Sequence, residues 1–259
     1  MKPFDSYHWR GMQLTDASLE SARQELAESS EIDTTLQSFT QLLHSEDSAA
    51  IGIALDHYHY AVSQQRYGIP NPYSDYTLEV LERARELLKQ PPTHSTFTGP
   101  DIEGSNHSSA LLIMMNHAKP EDSGLILRVL ENSANSDVAS GALAAAGRIL
   151  DAECAPDDAL IHALAGIALD ESKDPDERLD AVRALARSSA SQALSIMERI
   201  ADLETLDLQV TAVHALGFHA MDRYRPLVEQ RSASWPDDLP YPAFDVQRLL
   251  REHDSKGNA

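Results

Sequence analysis

Apolar residues recur along nearly the whole chain with the period of a helix rather than that of a strand. Between Pro156 and Ser172, Leu160, Leu164, Ile167 and Ala168 fall at i, i+4, i+7 and i+8, with Ile161 beside them. Between Ser136 and Leu150 the stripe is Val138, Ala142, Leu143, Ala145, Ala146, Ile149 and Leu150. No segment carries a run of alternating β-branched residues. The pattern predicts an all-α chain, with helices near 16–29, 31–44, 47–66, 74–90, 106–118, 121–131, 137–150, 157–170, 175–188, 190–203, 207–218 and 243–253.

Start signals agree with these positions. Asp174-Pro175-Asp176-Glu177 supplies a capping carboxylate, a proline at the first helical position and an acid three residues after the cap. Pro120 and Pro156 are expected to open helices in the same way, and Ser74 with Thr77, Asp137 and Asp207 are candidate caps. The segment 91–108 is rich in helix breakers and too long for an ordinary connection, so it reads as a linker or a functional loop. The stretch 232–243, with Trp235, Pro236, Pro240, Tyr241 and Pro242, reads as a second irregular region.

One helical segment returns along the chain. Asp180-Ala181-Val182-Arg183-Ala184-Leu185-Ala186 is echoed by Thr211-Ala212-Val213-His214-Ala215-Leu216-Gly217, by Gly141 to Gly147, and faintly by Ser109 to Met115. The anchoring alanines stand at 110, 142, 181 and 212, separated by 32, 39 and 31 residues. Such spacing predicts stacked helical hairpins. The pairs are 121–131 with 137–150, 157–170 with 175–188, and 190–203 with 207–218. The recurring alanines permit close approach of neighbouring helices, while Leu143, Val182, Leu185, Val213 and Leu216 fill the seam.

The motif Asp174-Pro175-Asp176-x-Arg178-x-x-Ala181-x-x-Ala184-Leu185 resembles the second half of a HEAT-like repeat of the short, phycobilisome-lyase type. Asp207-x-Gln209-x-x-Ala212-x-x-Ala215-Leu216-Gly217 is similar with Gln in place of Arg, and Asp137-x-Ala139-x-x-Ala142-x-x-Ala145-Ala146-Gly147 with Ala in that place. The resemblance covers roughly 105–220 and implies a right-handed α-solenoid of helical hairpins. It divides the chain into an N-terminal helical region (1–90), the long loop (91–108), HEAT-like repeats (109–231) and a terminal stretch (232–259) with an irregular segment, a last helix and a tail. HEAT-like proteins scaffold complexes, bind peptides, inhibit other proteins and occasionally catalyse. The His-Glu dipeptides of the iron-binding, hydroxylase-like members do not occur here.

Charge narrows the partner. The 259 residues carry 41 acidic against 21 basic side chains, a net charge of −20, with −9 over 1–104 and −11 over 105–259. Neither half has the basic balance with which nucleic-acid binders displace counterions, and anionic membranes are disfavoured on the same ground. The longest apolar runs are far shorter than the roughly 20 residues of a membrane span. The N-terminus has no apolar stretch of signal-peptide length, so a cytoplasmic protein is expected. One cysteine, Cys154, excludes an internal disulfide, and its acidic neighbours blunt it as a nucleophile.

Candidate chemistry is sparse. Asp56-His57-Tyr58-His59-Tyr60 is the densest polar cluster. His57 and His59 point apart on a helix, Asp56 can meet His59 or Tyr60, and the adopted reading is a polar-aromatic face packed on a neighbour. His94 and His107 flank the long loop with Asp101 and Glu103. His214 reads as a satisfied interface residue. No nucleophile elbow, phosphate loop or His-Glu-x-x-His is present. The acidic hairpin turns remain. Asp170, Glu171, Asp174, Asp176, Glu177, Asp202, Glu204 and Asp207 are expected to line one rim and to bind a basic protein partner. The expectation is a non-catalytic, cofactor-free scaffold, in its sharper form an inhibitor or immunity-type protein masking a basic effector. The competing expectation is a lyase-like or metal-dependent enzyme with its site near 91–108.

Overall fold

The helical period governs the fold. A computed structural model of the chain describes residues 6–93, 103–133, 135–151, 157–203, 205–236, 238–239 and 241–257. The regular structure within them is helical, and they contain no strand. The α-helices are α1 (Ala17–Glu28), α2 (Ile32–Leu43), α3 (Ser48–Gln64), α4 (Thr77–Leu87), α5 (Ser105–His117), α6 (Ser123–Glu131), α7 (Ser136–Asp151), α8 (Asp158–Leu169), α9 (Pro175–Leu185), α10 (Ser191–Ile200), α11 (Leu206–Ser232) and α12 (Ala243–Gly257). None of these helices is long and apolar enough to cross a membrane. The chain divides into two compact units, Met1–Ala145 and Ala146–Ala259, with the division inside α7.

In the Met1–Ala145 unit α3 is the central element. Ten consecutive residues, Ala49 to Tyr58, are buried, because α2, α4 and α5 pack around it and α1 also touches it. Helices α1 and α2 form a hairpin, and α4 packs along α5. A 3-10 turn, Tyr7–Trp9, lies across both α3 and α5. Trp9 is 3% exposed and its indole donates to Ser109 Oγ at 2.9 Å. Only a glycine admits it: a Cβ on Gly52 would stand 2.5 Å from the indole Cε2. Asp16 and Asp47 cap α1 and α3 through their side chains.

The Ala146–Ala259 unit is a series of hairpins. Helix α8 packs on α9 and α10 on α11, while α8 also meets α10 and α9 meets α11. Like helices therefore face like helices. The short link from Leu185 to Ser191 makes successive helices alternate in direction, so the α8–α9 and α10–α11 turns fall at the same end of the unit. The repeated alanines do what their size predicts: Ala181, Ala184, Ala212 and Ala215 are buried, and a Cβ on Gly147 would lie 3.2 Å from Ala184 Cα.

The 207–218 helix ends close to its expected end, at Ala220, and the sequence pattern misses the helix that follows. The helix resumes and runs to Ser232, but Ala220 leaves helical geometry (φ −151°, ψ 49°) and the chain doubles back there. Val228 returns to within 3.8 Å of a Cβ position on Gly217, Arg231 pairs with Asp202, and Trp235 Nε1 donates to Gln209 Oε1 at 2.8 Å. The second half of α11 then forms a hairpin with α12, tied by Arg225 to Asp254 at 2.7 Å and His253 to Asp222 at 2.6 Å. The reason the pattern hides this helix is composition. Asp222 to Ser232 is dominated by polar residues, and Pro226 stands inside it as a nominal breaker.

Candidate functional site

The acidic turns come first, because the sequence singled them out. Asp174 caps α9 as expected, accepting from Asp176 N at 2.9 Å, with Pro175 in the first turn. Arg178, the arginine of the repeat motif, donates from Nε to the carbonyl of Ala168 at 3.1 Å, closing the end of α8 onto α9. Gln209 stands at the matching motif position and donates to Leu203 O at 3.1 Å. An amide thus reproduces the turn-closing bond of the guanidinium.

Three expected caps are corrected. Thr205, not Asp207, occupies the N-cap of α11, and Asp207 sits in the first turn, where a carboxylate favours the helix dipole. Asn135, not Asp137, caps α7 by accepting from Val138 N at 2.9 Å. Ser74 does not cap α4 either; its carbonyl accepts from Thr77 Oγ1 at 2.7 Å. Pro120 opens a 3-10 turn, Pro120–Asp122, ahead of α6.

The carboxylates without a capping role also differ from one another. Asp170 folds back onto Ser172, accepting from its N at 2.9 Å and its Oγ at 2.7 Å, and these bonds hold its pKa below the ordinary carboxylate value. Asp202 is paired with Arg231. Glu177 pairs with Lys173 at 2.9 Å. Glu171, Asp174, Asp176 and Asp207 are exposed. Glu204 lies outside the described residues, as do His94, Asp101, Cys154 and Pro156.

Away from these turns, where His219 bonds Ala186 O at the far end of α9, the unit exposes aromatic rings. Phe218, Tyr241 and Phe244 are 63%, 65% and 61% exposed. Tyr241 meets Phe244 edge-on at 5.8 Å, and His214 lies between Tyr241 (5.6 Å) and Phe218 (6.2 Å). His214 bonds Asp245 at 2.9 Å, as an interface histidine. Bonding to Arg248 first, then to His214, lowers the Asp245 pKa to about 2.

The Met1–Ala145 unit holds a different constellation. The buried Asp56 carboxylate accepts from Ser6 Oγ and faces His8 Nδ1 at 3.3 Å. Its charge also reaches His59, raising the pKa that burial lowers. His59 Nδ1 bonds Leu112 O at 3.1 Å, and Tyr58 OH meets Thr77 Oγ1 at 2.7 Å. Burial pulls the His8 pKa down, but the bond and charge of Asp56 outweigh it, with Asp137 adding, so the net shift is upward. His8 borders a cleft of about 340 Å³ that also holds Ser108, Asp137 and Ser140.

His107 is not a loop residue. It is buried in α5 and its Nε2 bonds Gln90 O at 2.9 Å. Asn106 fastens the same corner, donating to Pro91 O at 3.0 Å and accepting from Thr93 N at 3.1 Å. Among the described residues no three His, Cys, Asp or Glu side chains come together to hold a metal ion.

A second cleft, of about 650 Å³, opens between the α1–α2 corner, α3 and the segment 69–73. His57 and Tyr60 border it from α3. Sequence reasoning missed Ser6, His8, Trp9 and the 69–73 wall. The one signal for the first three was Gly52, an isolated glycine in an apolar helix, which marks a close approach. No protein-family model matches the chain, and comparison with curated proteins finds no match.

Proposed function

We propose that this chain is a non-catalytic protein-binding platform that engages a basic protein through the turn end of its Ala146–Ala259 unit. The observation that carries the reading is the set of exposed carboxylates at the hairpin turns of this unit. Exposed carboxylates at Glu171, Asp174, Asp176 and Asp207 stand at the hairpin turns, and the same unit separately exposes the rings of Phe218, Tyr241 and Phe244. Aromatic side chains with two rotatable bonds anchor interfaces, while a surrounding acidic field speeds encounter with a cationic partner. The pairing of like helices in successive hairpins supports extending this order as a right-handed, HEAT-like solenoid. The net charge of −20 supports a protein partner over nucleic acid, and an inhibitor or immunity-type role in which carboxylates stand where phosphate would lie.

The test is a charge-neutralised variant, Glu171→Gln with Asp176→Asn and Asp207→Asn. Asp174 is spared because it caps α9. Partners captured from the source cell by the natural chain at low salt should carry basic surfaces, elute at high salt, and be lost to the variant. An unchanged partner set on the variant would refute the reading.

A further inference from the structure

We propose that the 650 Å³ cleft of the Met1–Ala145 unit is a binding site for an uncharged, predominantly apolar small molecule with one or two neutral polar groups. This goes beyond the protein-binding reading, uses none of the same residues and stands or falls separately.

The cleft has the size of a ligand site. Ligand clefts run from about 300 to 1,000 Å³ and are mostly apolar with a few placed polar groups. Here Leu26 and Ala27 come from α1, Ala61 from α3, and Ile69, Pro70 and Pro72 from the segment that follows it.

The wall is built in advance. Gly68 adopts left-handed geometry (φ 77°) and ends the preceding 3-10 turn, Gln65–Tyr67. Two prolines then fix their own backbone angles. The buried Asn71 accepts from Tyr73 N at 2.9 Å, and Tyr73 stacks on Phe39 with ring centres 4.2 Å apart. A ligand therefore meets a surface that needs no ordering.

The mouth is apolar where water would favour polarity. Ile32 is 64% exposed and Ile69 41% exposed, and both border the cleft. Apolar side chains at the lip of an apolar cavity continue the same surface outward.

Electrostatics selects the ligand class. Among the described residues the lining contains no lysine or arginine, and its one carboxylate is Glu28. An anion entering would find no counter-charge and would face the acidic field of the chain. Burial lowers the His57 pKa to about 4, so the imidazole is neutral near pH 7 and brings polarity to the wall without charge. Tyr60 and Gln64 are the neutral polar groups beside it.

A matched pair of probes tests this on the full chain. N-phenyl-1-naphthylamine is neutral; 8-anilino-1-naphthalenesulfonate has the same skeleton with a sulfonate. Fluorescence titration should give saturable one-to-one binding of the neutral probe and at least tenfold weaker binding of the anion. Ala61→Trp, which fills the cleft from α3, should weaken the neutral probe at least tenfold with helix content and Tm retained. Ile69→Glu, at the exposed lip, should weaken it severalfold, and decides the matter should the tryptophan variant not fold. Equal affinity for the two probes, or neutral-probe binding unchanged in both variants, would overturn the proposal.

Discussion

Two glycine-to-alanine substitutions should move stability in opposite directions, and the reason is local geometry. In a helix, alanine is favoured over glycine by roughly 0.5–1 kcal/mol, because the unfolded glycine chain has more freedom to lose. Gly166 in α8 is exposed and a Cβ there would meet nothing within 4 Å. Gly166→Ala should therefore stabilise by about 0.5–1 kcal/mol. Gly52 in α3 starts with the same backbone gain, but its Cβ would lie 2.5 Å from Trp9 Cε2 and 2.8 Å from Cζ2. Overpacking of this kind costs about 1–3 kcal/mol. Displacing the indole also forfeits its bond to Ser109, worth about 1 kcal/mol. The net expectation for Gly52→Ala is a loss of about 1–3 kcal/mol after the helix gain is subtracted. Urea unfolding of both variants reads the difference as a shift of midpoint at constant slope. In a Trp235→Phe background the emission of Trp9 should move to the red only in Gly52→Ala. A Gly52→Ala protein as stable as the natural chain, with unshifted emission, would refute the placement of the N-terminal turn on α3.

Three further outcomes are expected. Burial holds the His57 pKa down at about 4 against the ordinary 6.5, so the unfolded chain binds a proton that the native imidazole refuses; stability should fall as pH drops from 6.5 towards 4, by about 3 kcal/mol at full extent, and His57→Gln should flatten that limb in urea midpoints taken across the window. Asp56→Asn removes the charge facing His8 and should destabilise by about 2–4 kcal/mol at pH 6, measured by the same method, since it leaves buried partners poorly satisfied. Gln209→Ala loses the bond to Leu203 O and the one from Trp235, for about 1–2 kcal/mol, and Gln209→Arg should recover the first without the second, leaving Trp235 emission shifted.

The helical class and most helix positions were legible because amphipathic period and capping residues act locally. The α8–α9 turn is the clearest case: Asp174, Pro175 and Arg178 each take the place their chemistry implies. What escaped was long-range. Asp202 reads as an unexplained acid at a helix end until Arg231, 29 residues later, comes back to meet it. The turn that Asp170 makes with Ser172 leaves no periodic trace. His57 belongs to a polar run in which Asp56, Tyr58 and His59 face the N-terminal turn, α4 and α5, and only the fold shows that His57 and Tyr60 border a cleft.

The reversal at Ala220 has a consequence for how the chain tolerates shortening. Leu249 and Val228 lie 3.6 and 3.8 Å from the Cβ position of Gly217, so the returning segment and α12 act as a cover over the flank of the repeat. A protein truncated at residue 220 would bare Val213, Leu216 and Gly217 along one strip, and should be recovered as aggregate rather than as a smaller soluble fold.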